Sequence, residues 1–236
     1  MQDLKKILKK RQNLYGFLGR IYEREVDDKL LRELISSREV FSKYTLIGSL
    51  PQEMKDGFSD IYNFLSKLNE KNTELIKIEL AVDYANLFLG VLYARRREGI
   101  IHPSESVYLT GLLYQEPAEE VENLYLDFGL VKDEKFKEPE DHIALELYFM
   151  AHLSAKSIRA LEHNELHEVK KLLKAQKEFL EKHILKWVPK LAQDILQYAE
   201  TEFYRGIAKI TNGYLEADKI LLKELLEKLE NIVSEH

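Results

Sequence analysis

The chain contains no cysteine among its 236 residues. That excludes a disulfide framework and any thiolate metal site, and it suits a reducing compartment. Only 5 prolines and 10 glycines punctuate it, and alternating apolar-polar stretches are scarce, which together predict an all-helical fold. No apolar run is long enough to cross a bilayer, so stable membrane insertion is not expected. The first residues, Met1-Gln-Asp-Leu-Lys-Lys-Ile-Leu-Lys-Lys10, are too polar for a secretory signal. Basic residues are outnumbered, 35 against 41 acidic, for a net charge of −6. A nucleic-acid partner is disfavoured, because phosphate neutralisation needs surplus Lys and Arg. These absences point to a cytoplasmic protein.

What is present is helical periodicity. Leu4, Ile7, Leu8, Leu14, Tyr15, Leu18, Ile21 and Tyr22 recur at helical spacing with Lys and Arg between them. Gly16 and Gly19 would allow another helix to approach closely. Asp27 and Asp28 restart a shorter helix, and residues 36–51 read as a short helix or turn region. Helices are expected over 52–68 and 74–93, the second capped by Asn72 or Thr73. A basic loop, Arg95-Arg96-Arg97, ends that second helix. A connector follows and turns helical around Ser106. Pro117 opens a helix that stops at Gly129. Residues 131–137 form a loop. Pro139 fits a first helical position, with Glu138 as cap and Glu140 and Asp141 in the first turn. That helix runs to about His163. Pro189 divides the helices beyond it, and Gly206 and Gly213 are possible bends in the last. No linker forces a division, so residues 1–236 are expected to form one compact multi-helix domain.

Candidate chemistry is sparse. None of the seven histidines has a Glu three positions before it, so the di-iron bundle motif is absent. His163 and His167 have chelating spacing but stand among polar residues at a helix end. His142 and Glu146 lie four apart, which would suit a metal- or His/Glu-dependent hydrolase in a helical bundle. No nucleophile elbow or phosphate loop accompanies them. Glu146, between Leu145 and Leu147, also reads as a core carboxylate bonded to a neighbour. Arg95 to Arg97 read as a solvated loop or an anion contact. Tyr84, Leu87 and Phe88 share a helix face that either packs in the core or lines an apolar groove.

Taken together, several segments resemble the TorD/DmsD/NarJ family of redox-enzyme maturation chaperones. Leu14-Tyr-Gly-Phe-Leu-Gly-Arg-Ile-Tyr22 is similar to that family's first helix. Tyr84-Ala-Asn-Leu-Phe88 matches its aromatic-x-x-Leu-Phe motif, and Glu138-Pro-Glu-Asp-His142 matches its Glu-Pro-x-Asp-His motif. His102-Pro-Ser-Glu-Ser-Val-Tyr108, His183-Ile-Leu-Lys-Trp187 and Phe203-Tyr-Arg-Gly206 stand where relatives have similar elements. His102 departs from the second proline that relatives often carry.

The resemblance implies a TorD-like fold without catalysis, cofactor or bound metal. It implies a cytoplasmic chaperone that binds the twin-arginine signal peptide of a molybdenum-cofactor oxidoreductase precursor, assists cofactor loading and proofreads export. On this basis the expected peptide-binding residues are Tyr84, Leu87, Phe88, Pro103, Ser106, Tyr108, Glu138, Pro139, Glu140, Asp141 and His142. The carboxylates would pair with guanidinium groups, and His142 would orient the loop or sense its charge. A monomer is the default, with a segment-swapped dimer as a minor form. A structural subunit of a redox-enzyme complex is the remaining alternative.

Overall fold

Apolar side chains at helical spacing become helices along nearly all of the described chain, which comprises residues 2–67, 73–89 and 101–234 of a computed structural model. The order is α1 (Gln2–Glu23), α2 (Asp28–Ser36), α3 (Arg38–Thr45), α4 (Gln52–Ser66), α5 (Thr73–Phe88), α6 (Glu105–Thr110), α7 (Glu116–Asp127), α8 (Ile143–Glu162) and α9 (Leu166–Phe179). A π turn, Leu180–Ile184, leads into α10 (Leu185–Tyr198), and α11 (Glu202–Ser234) closes the sequence. The only β feature among the described residues is an isolated bridge between Ser104 and His142. The all-α expectation holds. Arg95, Arg96, Arg97 and Asn72 lie outside the described residues.

Contacts divide the chain into two units. The first comprises Met1–Glu23, Ser104–Trp187 and Leu215–His236. Here α1 runs beside α8, and α9 packs on α8 as well. A Cβ on Gly19 would stand 2.9 Å from the Tyr148 ring and 3.2 Å from the Ala144 carbonyl, so the closeness of α1 and α8 depends on that glycine. Gly16 meets nothing within 4 Å and has no such role. Arg11, which reads in sequence as part of a solvated face, is buried instead. Its Nε and Nη2 donate to the two carboxylate oxygens of Asp218 at 2.6 and 2.8 Å. Tyr15 donates to the same carboxylate at 2.7 Å, and Arg11 Nη1 donates to Gln176 at 2.6 Å. A bidentate guanidinium–carboxylate pair with further hydrogen bonds is the arrangement that lets a charge stay inside.

The second unit comprises Arg24–Pro103 and Val188–Tyr214. Asp27 caps α2 by accepting from Leu30 N at 2.8 Å. Backbones of α4 and α11 cross in contact: a Cβ on Gly57 would lie 2.6 Å from the Gly206 carbonyl, and one on Gly206 2.7 Å from the Gly57 carbonyl. Met54 fills the space over Gly213. These two glycines of α11 are therefore packing positions and not bends, and α11 is continuous through both. Pro189 does not divide helices either. It lies inside α10, and the carbonyl its missing N–H would bond is that of Leu185, the first residue of α10, directly after the π turn.

Candidate functional site

Two segments far apart in sequence are stitched together in the first unit. Glu105 N donates to the Asp141 carbonyl at 3.0 Å, next to the Ser104–His142 bridge. The Asp141 carboxylate then accepts from Ser106 N at 2.6 Å and also from the Ser106 hydroxyl. The first N–H groups of a helix lack partners within it and sit at the positive end of its dipole. Ser104, the residue before α6, makes no side-chain cap. Asp141 therefore caps α6 from 35 residues away. It is 0% exposed, and its second oxygen has no hydrogen-bond partner.

The next residue caps the next helix. His142 Nδ1 accepts from Ala144 N at 3.1 Å, so this nitrogen carries no proton in the observed state. The Phe136 ring meets the imidazole edge-on at 5.2 Å. Consequently α8 begins at Ile143, not at Pro139. Residues 139–142 form a turn closed by His142 N donating to the Pro139 carbonyl at 3.1 Å. Two side chains that could have joined one helix instead cap two different helices, and that ends the regular backbone here.

Behind this turn lies a fully buried polar cluster. Glu105 Oε2 is 2.9 Å from His183 Nδ1, in the π turn. Trp187 Nε1 donates to Glu146 Oε2 at 3.2 Å, and the Tyr108 ring is tilted on Trp187 at 5.4 Å. Burial pushes the Glu146 pKa well above the ordinary carboxylate range, and the charges of Glu105 and Asp141 push it further. Tyr125 is raised too, by burial first and then by Glu146; its hydroxyl donates to the Glu140 carbonyl at 3.2 Å.

The residues singled out in sequence are distributed as follows. Pro139, Asp141, His142 and Ser106 are buried in the first unit, and Tyr108 is half-buried there. Glu138 and Glu140 keep partial exposure. Lys132 bridges them, with Nζ 2.7 Å from a Glu140 carboxylate oxygen and 2.7 Å from the Glu138 carbonyl. Tyr84, Leu87, Phe88 and Pro103 belong to the second unit and are buried in it. Tyr84 and Phe88 pack on Tyr204, with ring centroids 6.2 and 6.1 Å away. Their motif thus supports the unit from within, the core alternative of the two that the spacing left open.

Sequence reasoning missed Glu105 as the partner of His183. It also missed Asp83, whose buried carboxylate accepts from Glu200 N at 3.0 Å and Thr201 N at 2.8 Å, ahead of α11. The available signal was a lone carboxylate in an apolar stretch, Leu80-Ala-Val-Asp-Tyr84. Among the described residues no group of three or more His, Asp or Glu could hold a metal ion. No described helix is long and apolar enough to cross a membrane.

Comparison with known proteins finds relatives along almost the whole chain. Residues 48–193 match the family model described as nitrate reductase delta subunit. A chaperone protein TorD from Vibrio parahaemolyticus is 31% identical over 227 residues, covering 94% of this chain and 99% of the relative. A Vibrio cholerae relative of the same name is 30% identical over 231 residues, covering 97% and 99%. One from Photobacterium profundum is 28% identical over 226 residues, covering 94% and 98%.

Proposed function

From the premise that the chain belongs to the TorD/NarJ-type chaperone family, whose members are chaperones and not catalysts, we propose that it is a maturation chaperone for a molybdenum-cofactor oxidoreductase. On this reading it binds the twin-arginine signal peptide of the precursor in the cytoplasm and holds back export until the cofactor is loaded. The observation that carries the reading is likeness to proteins named chaperone TorD along almost the whole chain.

Local chemistry supports a place for the arginines. Glu140 and Glu138 are the acidic residues of the motif that reach solvent, and an internal cation, Lys132, already sits between them. A guanidinium displacing that ammonium would gain a two-pronged contact with the Glu140 carboxylate. Asp141, His142 and Ser106 act from below, by fixing the backbone that presents Glu138 and Glu140. Pro139 and Tyr108 shape the same turn and its surroundings. Tyr84, Leu87, Phe88 and Pro103 contribute by holding the second unit in form. The active species is the monomer, and a segment-swapped dimer is a minor form.

Calorimetry with a twin-arginine peptide tests this. The native chain is expected to bind it, a twin-lysine peptide to bind more weakly, and Glu140→Gln to lose affinity for the arginine form. No binding by the native chain, or equal binding of the two peptides, overturns the reading. A stable subunit role is the second reading, favoured by the delta-subunit description of the family. A stoichiometric partner that stays bound after its N-terminal leader is deleted would select it.

A further inference from the structure

Helix α5 is apolar on two sides. Its inner side carries Ile76, Leu80, Tyr84 and Leu87, all buried. Its outer side carries Leu75, Ile78 and Val82, and Leu89 follows directly after the helix. These four are 68%, 53%, 48% and 58% exposed. Leu89 N still donates to the Ala85 carbonyl at 3.1 Å, so the helical path continues to it. Positions 75, 78, 82, 85 and 89 alternate by three and four residues, which is the spacing of a seam that receives another helix. The seam runs for about 21 Å at 1.5 Å per residue. A surface helix ordinarily turns charge outward here.

The scaffold behind the seam is fixed. Asp83, on the inner side, is bonded to Glu200 and Thr201, and the Tyr84 and Phe88 rings lock against Tyr204. Among the described residues, the seam's charged neighbours on α5 itself are Glu74, Lys77 and Glu79. Lys77 is already engaged, with Asp28 at 2.7 Å and Glu74 at 3.4 Å. Among the described residues the remaining balance along the seam is negative. A second copy of the chain fits this poorly. A parallel pair would set Glu74 beside the partner's Glu79, and an antiparallel pair centred on Ile78 and Val82 would set Glu79 against its own copy.

We propose that the outer face of α5 is a docking surface for a helical segment of a partner polypeptide, one with an apolar stripe at three-four spacing and Lys or Arg along its edges. This surface is separate from the leader-binding reading above and stands without it. Apolar burial along the stripe drives association, and the basic edges meet Glu74 and Glu79.

The absence of native cysteine makes the test direct, because a single introduced thiol can be labelled cleanly. The chain would carry an environment-sensitive fluorophore at Ile78→Cys or, as a control, at the exposed Glu119→Cys in the first unit. The probe is a three-heptad synthetic helix with Leu at three-four spacing and Lys at the flanking positions. Saturable change is expected at position 78 and none at 119. A Glu-flanked version of the peptide should bind at least fivefold more weakly. In unlabelled protein Val82→Gln should weaken binding of the fluorescent peptide severalfold without altering the melting temperature. No change at position 78, equal binding of the Glu-flanked or a stripe-scrambled peptide, or unaltered binding by Val82→Gln overturns the proposal. So does a response at position 78 to unlabelled chain alone, which would place a second copy on the face.

Discussion

Burial, and after it the charges of Glu105 and Asp141, raise the Glu146 carboxyl well above its ordinary range. It is buried beside Glu105 and Asp141, and its acceptor role toward Trp187 offsets only part of the cost of ionising. The consequence for stability has a definite sign. Below the ordinary carboxylate pKa of 4.5 the group is protonated in both folded and unfolded chains and contributes nothing. Above that value the unfolded chain releases the proton while the folded chain retains it. Stability therefore falls as pH rises from about 4.5 until the raised folded pKa is passed, then levels off. Glu146→Gln keeps the shape and the acceptor for Trp187 without the titration. Melting curves from pH 5 to 8 should show a smaller decline for Glu146→Gln than for the native chain, with the variant the more stable at pH 8. Parallel curves would show that Glu146 does not set this dependence. That Glu146 would be a core carboxylate was legible from its place between two leucines. That Asp141 would cap another helix was not, since its partner lies 35 residues away and local spacing carries no trace of it.

At the scale of elements, periodicity located the helices well, because a 3.6-residue repeat needs only nearby residues to be seen. Ends and contacts were harder. The start of α8 moved from Pro139 to Ile143 because His142 took the cap, and proline's preference for a first helical turn is weaker than a satisfied cap. Glycines were ambiguous for a related reason: a glycine inside a helix reads the same whether it lowers stability or admits a neighbour. The structure separates the cases. Gly206→Ala would drive a methyl to 2.7 Å from the Gly57 carbonyl, and backbone cannot swing aside. It should cost about 1–3 kcal/mol, the range for overpacking. Gly16→Ala meets nothing within 4 Å in the middle of α1 and should stabilise by about 0.5–1 kcal/mol. Opposite shifts in urea midpoint are the expected result. Equal shifts in one direction would contradict this assignment of close approach to Gly206 and open space to Gly16.

At the scale of the molecule, each unit is assembled from stretches far apart in the chain, so its closure depends on pairs that no local pattern announces. Within the first unit the most consequential is Arg11 with Asp218, 207 residues apart and both buried. The N-terminal helix reads as amphipathic with its basic residues in water, and Arg11 differs from its neighbours only in facing a carboxylate brought in by α11. The pair also organises Tyr15 and, through Gln176, the serines of α8, since Gln176 accepts from Ser154 and donates to Ser157. Removing one member leaves a desolvated charge with nothing to balance it. Asp218→Ala should therefore cost about 3–5 kcal/mol, the range for breaking a buried ion pair. Replacing both members, Arg11→Met with Asp218→Leu, removes the charges together and should recover most of that loss, because the attraction between buried ions is largely offset by their desolvation. Denaturant unfolding of the two single variants and the double variant measures this directly. A double variant as unstable as the sum of the singles would mean that the hydrogen bonds to Tyr15 and Gln176, and not the uncompensated charge, hold α1 to the end of the chain.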